Sequence, residues 1–309
     1  AERALSIDDF AERYLAPAVN NTAGAVASDI MSGVDGGVCN YVNNPDASGN
    51  ALTPNADTVL SGGALLNMNS APLGDRKVVQ DPRTEARVVS SLAGLFNPSK
   101  EISRQYVTGQ MATALGFDWF MDQTVLKHTA GTFSAGTVNG AGQSGTTLTV
   151  NAITGTLKKG DIITLAGVNA VNRITKQDTG ELRQFVVTAD VLNGATSIPI
   201  YPAITLSTVA YGTVTAAPAN SAVISLVNKA SGVERRNVAY APQACTMVTA
   251  DLELPGGVMD ASRAVLDKIS MRMITQYNIS TDQVITRLDV LYGYLWVRPE
   301  WAVVIADKI

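Results

Sequence analysis

SMRMITQYNISTDQVITRLDVLYGYLWVRPEWAVVI, residues Ser270 to Ile305, carries the period of β-strands almost from end to end. Met271, Met273, Tyr277 and Ile279 alternate with Arg272 and Gln276, the pattern of a strand with one buried face. Ser280 to Gln283 is polar and reads as a turn. Beyond it Val284, Leu288, Val290, Tyr292, Tyr294 and Trp296 share one side, with Thr286 the only polar interruption. Ile285, Leu291 and Leu295 share the other with Arg287, Asp289 and Gly293. Pro299 ends that strand, and Trp301 to Ile305 forms a last one. A core anchored this near the C-terminus has to be completed by segments much earlier in the chain. The tail is therefore expected to be the keel of the main domain.

The chain of 309 residues has room for one large domain or two smaller ones. It is 46% hydrophobic and 16% charged with 26 glycines, which excludes disorder and suits a protein that buries surface against neighbours. A net charge of −4 gives no footprint of general nucleic-acid binding. Arg287, Asp289, Arg298 and Glu300 interrupt the most apolar region, so no membrane span or membrane partner is expected. No secretory signal peptide is legible. Cys39 and Cys245 lack metal-ligand spacing and are expected as reduced, buried thiols. The chain starts at Ala1 in what reads as the end of a strand, and an N-terminal portion is expected to precede it.

Ser6-Ile7-Asp8-Asp9 is a helix start, followed at helical spacing by Phe10, Tyr14 and Ala18, then Val26 and Ile30. Pro17 should kink this helix or open a second, longer one. Gly33 to Asn50 reads as a loop, and Thr53-Pro54 as the start of a helix to about Met68. Arg76 to Gln80 reads as a strand, and Asp81-Pro82 opens a helix to about Leu95, with breakers from Ala93 to Pro98. The character changes near Gly131: no charge falls between Thr129 and Leu157. Strand-like runs follow at Thr146 to Ile153, Asp161 to Val168, Gln184 to Val191 and Thr196 to Ile204, the signature of a small closed or sandwiched β-domain. Pro199 and Pro202 mark the last run as an edge or a bulge. The mostly alternating strands suggest that Thr132 to Thr213 is able to fold alone, an expectation open to test on the isolated segment. Ala222 to Val227 reads as a further strand.

The tail from Gln276 to Ile305 resembles the C-terminal end of the major capsid (coat) proteins of tailed double-stranded-DNA bacteriophages. ALSIDDFAERYLAPAVNNTAGAVASDIM resembles the start of their long spine helix. RKVVQDP, SLAGLFNPSKEIS and TGQMATALGFDWFMDQTVLKHTAG resemble, in order, their central domain. LKKGDIITLAGV with QFVVTADV resembles the β-domain inserted in one branch, the phage P-twenty-two coat-protein type, and VERRNVAYAPQACTMVTADLELPGG the return to the main domain. The resemblance implies an α+β, HK-ninety-seven-like capsid fold with a long spine helix, peripheral and axial domains, and an inserted all-β domain. It implies a peripheral part at 1–44 with the end of an extended loop and the spine helix. An axial α/β domain and return strand at 45–130, a barrel-like insert at 131–213 and a return to the peripheral and axial domains at 214–309 complete the division. Asn139 to Gly145 is short, glycine-rich and uncharged where the best-known relative in the family has a longer, charged loop, which argues against an ionic contact between neighbouring capsomers there.

No residue is expected to be catalytic, to bind a cofactor or to hold a metal. His128, the only histidine, has no partner set legible nearby and reads as structural or solvated. Asp118 and Asp122 read as one exposed strand face rather than an acid–base pair. Gly160-Asp161 reads as a turn, since no phosphate-binding motif opens a helix there. Cys245 has no activating base near it in sequence. Lys158-Lys159 and Arg235-Arg236 read as solvated surface, with subunit or DNA-phosphate contact the rival reading. The expected function is a structural subunit of an icosahedral phage head, found in the virion and assembled in the host cytoplasm. Its partners by resemblance are copies of itself in pentamers and hexamers, scaffolding, portal and decoration proteins, and packaged double-stranded DNA bound without sequence preference. A tail-tube, decoration or adhesion protein is the alternative, and an enzyme is remote.

Overall fold

A computed structural model describes residues 16–92, 113–266 and 269–309. It separates into two compact units, one of Ala1–Ile30 with Cys245–Leu295 and one of Met31–Ala244 with Trp296–Ile309. Helix α1 (Ala16–Ser32) has Pro17 in its first turn, where a missing N–H costs nothing, and buries Val26. The expected start at Ser6 and the positions of Phe10 and Tyr14 lie outside the described residues.

The second unit begins with β1 (Asn40–Val42), a two-stranded turn of β2 (Asn44–Pro45) and β3 (Ala51–Leu52), and helix α2 (Ala56–Met68). Asn55 caps α2, its Oδ1 accepting from Thr58 N at 2.8 Å, and Asp57 sits where the helix dipole favours an acid. Strand β4 (Lys77–Gln80) leads through Asp81 into α3 (Pro82–Leu92), with Asp81 Oδ1 accepting from Arg83 N at 2.9 Å. The expected breakers from Ala93 to Pro98 lie outside the described residues. Then come β5 (Thr113–Ala114), β6 (Phe117–Met121), β7 (Lys127–Thr129), β8 (Gly145–Thr149), β9 (Ile162–Val171), β10 (Asp178–Val187), β11 (Ser197–Ile204), β12 (Ile224–Leu226) and β13 (Val233–Tyr240). Strands β14 (Thr246–Ala250), β15 (Asp260–Leu266), β16 (Ile269–Asn278) and β17 (Gln283–Leu295) belong to the first unit, and β18 (Ala302–Lys308) closes the second.

A mixed sheet ordered β1-β18-β13-β4-β6-β5, with β7 also on β13, is the body of the second unit. β18 lies between β1, parallel to it, and β13, antiparallel. Residues Ala302 to Ala306 are at most 2% exposed, because both faces of the strand are covered. Val303 and Ile305 pack with Val59 and Leu66 of α2 and with Trp119, while Ala302, Val304 and Ala306 pack with Val34, Val38 and Tyr41. Two expectations are corrected here. Gly33 to Asn50 is not all loop, because Asn40 to Val42 finds a partner in β18, more than 250 residues away along the chain. The keel is the last strand alone; Ser270 to Leu295 lies in the other unit.

The strand-rich middle forms a five-stranded sheet ordered β12-β9-β10-β11-β8. Its two faces go to different cores. Ile163, Leu165, Phe185, Val187, Ile198 and Ile200 join a cluster with Leu148, Val150 and Leu157. Ile162, Val186 and Tyr201, one residue out of step, join Val34, Cys39 and Tyr41 of the body. Burial on both faces explains why Ile162-Ile163 and Phe185-Val186-Val187 place apolar residues next to one another instead of alternating. The strand with Pro199 and Pro202 is not an edge, since β11 lies between β10 and β8; its register with β8 breaks between Pro199 and Ile204, so the bulge reading is the right one.

The first unit's sheet is ordered β14-β17-β16-β15. β16 and β17 pair from Met271↔Val290 to Asn278↔Gln283 around the expected turn, where Asp282 takes a φ of +52°. Much of their apolar surface stays open to solvent: Leu295 is 66% exposed and Val284 53%, and Ile279 in the turn 85%.

Candidate functional site: the polar seam beneath the five-stranded sheet

The five-stranded sheet leaves and rejoins the body at one place. Ala130 N donates to Gly232 O and Ser231 N to Gly131 O, each at 2.9 Å, and β7 pairs with β13 through Thr129↔Val233. Gly131 has to be glycine, because a Cβ would stand 2.1 Å from Thr156 O. Immediately beside this crossing lies His128, which is buried.

His128 Nε2 is 2.9 Å from Asp161 Oδ1 and Nδ1 is 3.4 Å from Asp35 Oδ2. A neutral imidazole donates from one nitrogen only, so carboxylates at both favour the imidazolium. Burial works against that charge, but the hydrogen bonds to Asp161 and Asp35 outweigh it and raise the His128 value above the ordinary one. Burial likewise pushes the two carboxyls up. For Asp35 the His128 hydrogen bond and the Arg236 charge prevail, and for Asp161 the His128, Lys158 and Asn228 hydrogen bonds do, so both are held below the usual carboxylate value. Asp161 is wholly enclosed and accepts from Gly131 N at 3.0 Å, Lys158 N at 2.7 Å and Asn228 Nδ2 at 3.0 Å as well.

Arg236 continues the network. Its Nη1 donates to Asp35 Oδ1 at 3.0 Å and to Gly160 O at 2.7 Å. Its Nη2 lies 3.3 Å from Glu234 Oε1, an ion pair by distance whose alignment falls short of a hydrogen bond. Tyr41 OH donates to Glu234 Oε2 at 2.6 Å. Gly160 takes a φ of +99°, and a Cβ there would stand 3.1 Å from Arg236 Nη1, so the turn accepts the guanidinium only as glycine. Arg235 Nε lies 3.1 Å from Asp81 Oδ1, and its Nη1 donates to Lys308 O. Further along the seam, Gln184 of the sheet clamps Tyr41 of the body, accepting from its N at 2.7 Å and donating to its O at 2.9 Å. Arg173 Nη1 donates to Glu300 Oε1 at 3.1 Å.

This arrangement is a latch. Buried ion pairs contribute little net stability against apolar replacements, but removing one partner strands the other, so they fix one docking geometry. No group on it is poised beside an open cleft as a nucleophile or base. His128, expected to be structural or solvated, is structural. Arg235 and Arg236, expected at the surface, are 2% and 0% exposed, because Asp81, Asp35 and Glu234 supply counter-charges there. Lys158 is solvent-exposed, as expected, in a pair with Asp190 at 2.7 Å. Asp118 and Asp122 do not act as a pair: Asp118 accepts from Thr113 Oγ1 at 2.7 Å, Asp122 lies just past β6 and accepts from Thr124 N at 2.8 Å. Both cysteines are free thiols; Cys39 is buried and Cys245 only partly so, and burial pushes each thiol up. Sequence reasoning missed Asp35, Tyr41, Glu234 and Asn228. The available signal was Glu234-Arg235-Arg236-Asn237, four polar residues inside a strand flanked by apolar ones.

Among the described residues no group of three His, Cys, Asp or Glu side chains is placed to hold a metal ion. No described helix is long and apolar enough to cross a membrane. The described residues build a mixed α and β framework with a latched sheet. The family described as P22 coat protein - gene protein 5 matches residues 5–305, and the chain belongs to that family. It is a bacteriophage major capsid protein: its copies assemble with one another into a shell, and its place is the virion capsid. Among solved structures, the CUS-3 coat protein I-domain is similar at 30% identity, covering 31% of this chain and 96% of that one with a TM-score of 0.25. The capsid structure of the cyanophage P-SCSP1u is similar at 11% identity, covering 98% of this chain and 66% of that one with a TM-score of 0.42. No curated protein sequence matches the chain significantly.

Proposed function

We propose that the chain forms the icosahedral head that encloses double-stranded DNA, on an HK-ninety-seven-like fold carrying an inserted all-β domain. In this reading the peripheral part is 1–44, the axial domain 45–130, the insert 131–213 and the return 214–309, with the return segment lending Ile224–Leu226 to the inserted sheet. The observation that carries it is the crossing at Gly131 and Ser231: a sheet with its own core leaves the body and rejoins it through adjacent, hydrogen-bonded strands. A latched insert suits a subunit that has to hold one shape while many lateral contacts form. Pentamers and hexamers of the chain, a scaffolding protein during assembly in the host cytoplasm, a portal at one vertex, and decoration proteins complete the assembly. Contact with packaged DNA is non-specific and weak, since a net charge of −4 offers no general attraction for phosphates.

Electron microscopy of the protein produced with and without its scaffolding partner tests this. Closed shells of uniform diameter are expected. Tubes or single rings would instead identify a tail component, and particles that stay monomeric under both conditions would sink the proposal.

A further inference from the structure

Among the described residues of the seam, Arg183 is a cation that the latch does not neutralise. Arg183, on β10, is 6% exposed and makes no ion pair with any described residue. Its guanidinium has a single protein partner, Cys39 Sγ, 3.3 Å from Nη2, and Nε has none. Arg76 is equally buried and also lacks a carboxylate, but it donates to Pro72 O, Ala71 O and Asn67 Oδ1. Arg173 is paired with Glu300. The Cys39 thiol does not serve as a counter-ion, because burial pushes its value up and it stays neutral. A buried, unpaired guanidinium is expensive to maintain.

Arg183 also lines a cavity of about 40 Å³ between Asn40 and Asn69 of the body and Thr179, Glu181 and Gln184 of the sheet. That exceeds the roughly 10–15 Å³ that one water needs on this measure. Asn40 Nδ2, Asn69 Nδ2 and Thr179 Oγ1 in the same wall already donate to Glu300 O and Ala302 O, Leu65 O and Ala170 O, so it is the guanidinium that offers donors to the cavity, and the acidic Glu181 reaches the rim without pairing with it. We propose that this cavity binds a monovalent, carboxylate-sized anion, held by the Arg183 guanidinium across the seam between sheet and body. Occupied, it ties β10 to the β1 and α2 side of the body at the end of the seam remote in sequence from His128. The same chemistry is supplied by a free anion or by an acidic side chain of a second copy in the shell.

Thermal unfolding of the unassembled full-length protein, titrated with acetate at constant ionic strength, tests this first. The wild type is expected to gain several degrees with a saturating dependence, and Arg183→Met to give a flat response. Equal responses from both would overturn the proposal. Should Arg183→Met fail to fold, crystals of the wild type grown in bromide decide: an anomalous peak beside the guanidinium supports the site, and water alone, or Glu181 swung into the cavity, overturns it. High-resolution electron microscopy of assembled shells separates the two sources. Isolated density at Arg183 identifies a free anion, and density continuous with a neighbouring subunit's Asp or Glu identifies the second copy.

Discussion

The five-stranded sheet and the four-stranded sheet are built from similar sequence and end differently. In the first, Leu148, Ile163, Phe185 and Ile198 are wholly enclosed, and even the second face, through Ile162 and Val186, is covered by the body. In the second, Ile285, Leu291 and Leu295 are 50%, 49% and 66% exposed, and polar side chains pair instead, Arg272 with Asp289 across the strands and Arg287 with Asp289 along one of them. Alternation makes a strand; it does not by itself provide anything for the apolar side to lie against. The closed sheet carries its own core and a latch, whereas the open one keeps apolar area available to a chain that assembles with copies of itself.

The comparison breaks most completely if the closed sheet is cut in the wrong place. A segment from Thr132 to Thr213 lacks β12, Val214 and Ala222, all part of its sheet or core, and is expected to show no cooperative unfolding. A segment from Gly131 to Ser231 is expected to unfold cooperatively; circular dichroism of both during denaturation reads the difference. Next comes the latch. Asp161→Ala strands His128 and removes three further acceptor contacts, and should cost about 3–5 kcal/mol in urea unfolding of the whole chain. A loss under about 1 kcal/mol would mean that the latch positions nothing.

A matched pair then compares the two sheets directly. Leu148→Ala, at a wholly buried site, is expected to cost about 2–5 kcal/mol. Leu291→Ala, at a half-exposed one, should stay within roughly 1 kcal/mol for the unassembled protein, and similar losses at both sites would erase the contrast. The smallest expected effect is the pH response of the latch. The His128 value is raised, so its contribution is complete below the free imidazole's value of about 6.5 and fades as pH climbs through the raised one. Asp35 and Asp161 are lowered, so theirs is complete above about 3.9 and fades as pH falls through the lowered values. Melting temperatures should therefore decline on the alkaline side in the wild type, and that arm should be missing in His128→Gln. An unchanged alkaline arm in the variant would exclude His128 as its source.

Much of this was legible in the residues, and what was not shares one cause. The strands of the middle, the last strand and the helix opened by Asp81-Pro82 follow from period, proline and capping, which act over a few residues. The α2 start shifted from Thr53-Pro54 to Asn55 for a local reason too, the side-chain bond to Thr58 N. Arg235 and Arg236 were read as surface because a pair of arginines is cheap in water and their counter-charges are elsewhere: Asp35 is 201 residues from Arg236.

The sequence by itself determined that this chain is rich in strands, that its middle is a β-region of its own, and that its last strand is buried. Tertiary structure alone decided which apolar faces were covered, that Asn40 to Val42 became a strand rather than a loop, and that a set of charged residues and one histidine turned inward to latch the sheet. Periodicity is set by neighbours along the chain, but the free energy of burying a face or a charge depends on what folds against it, and here those partners come from the two ends of the chain.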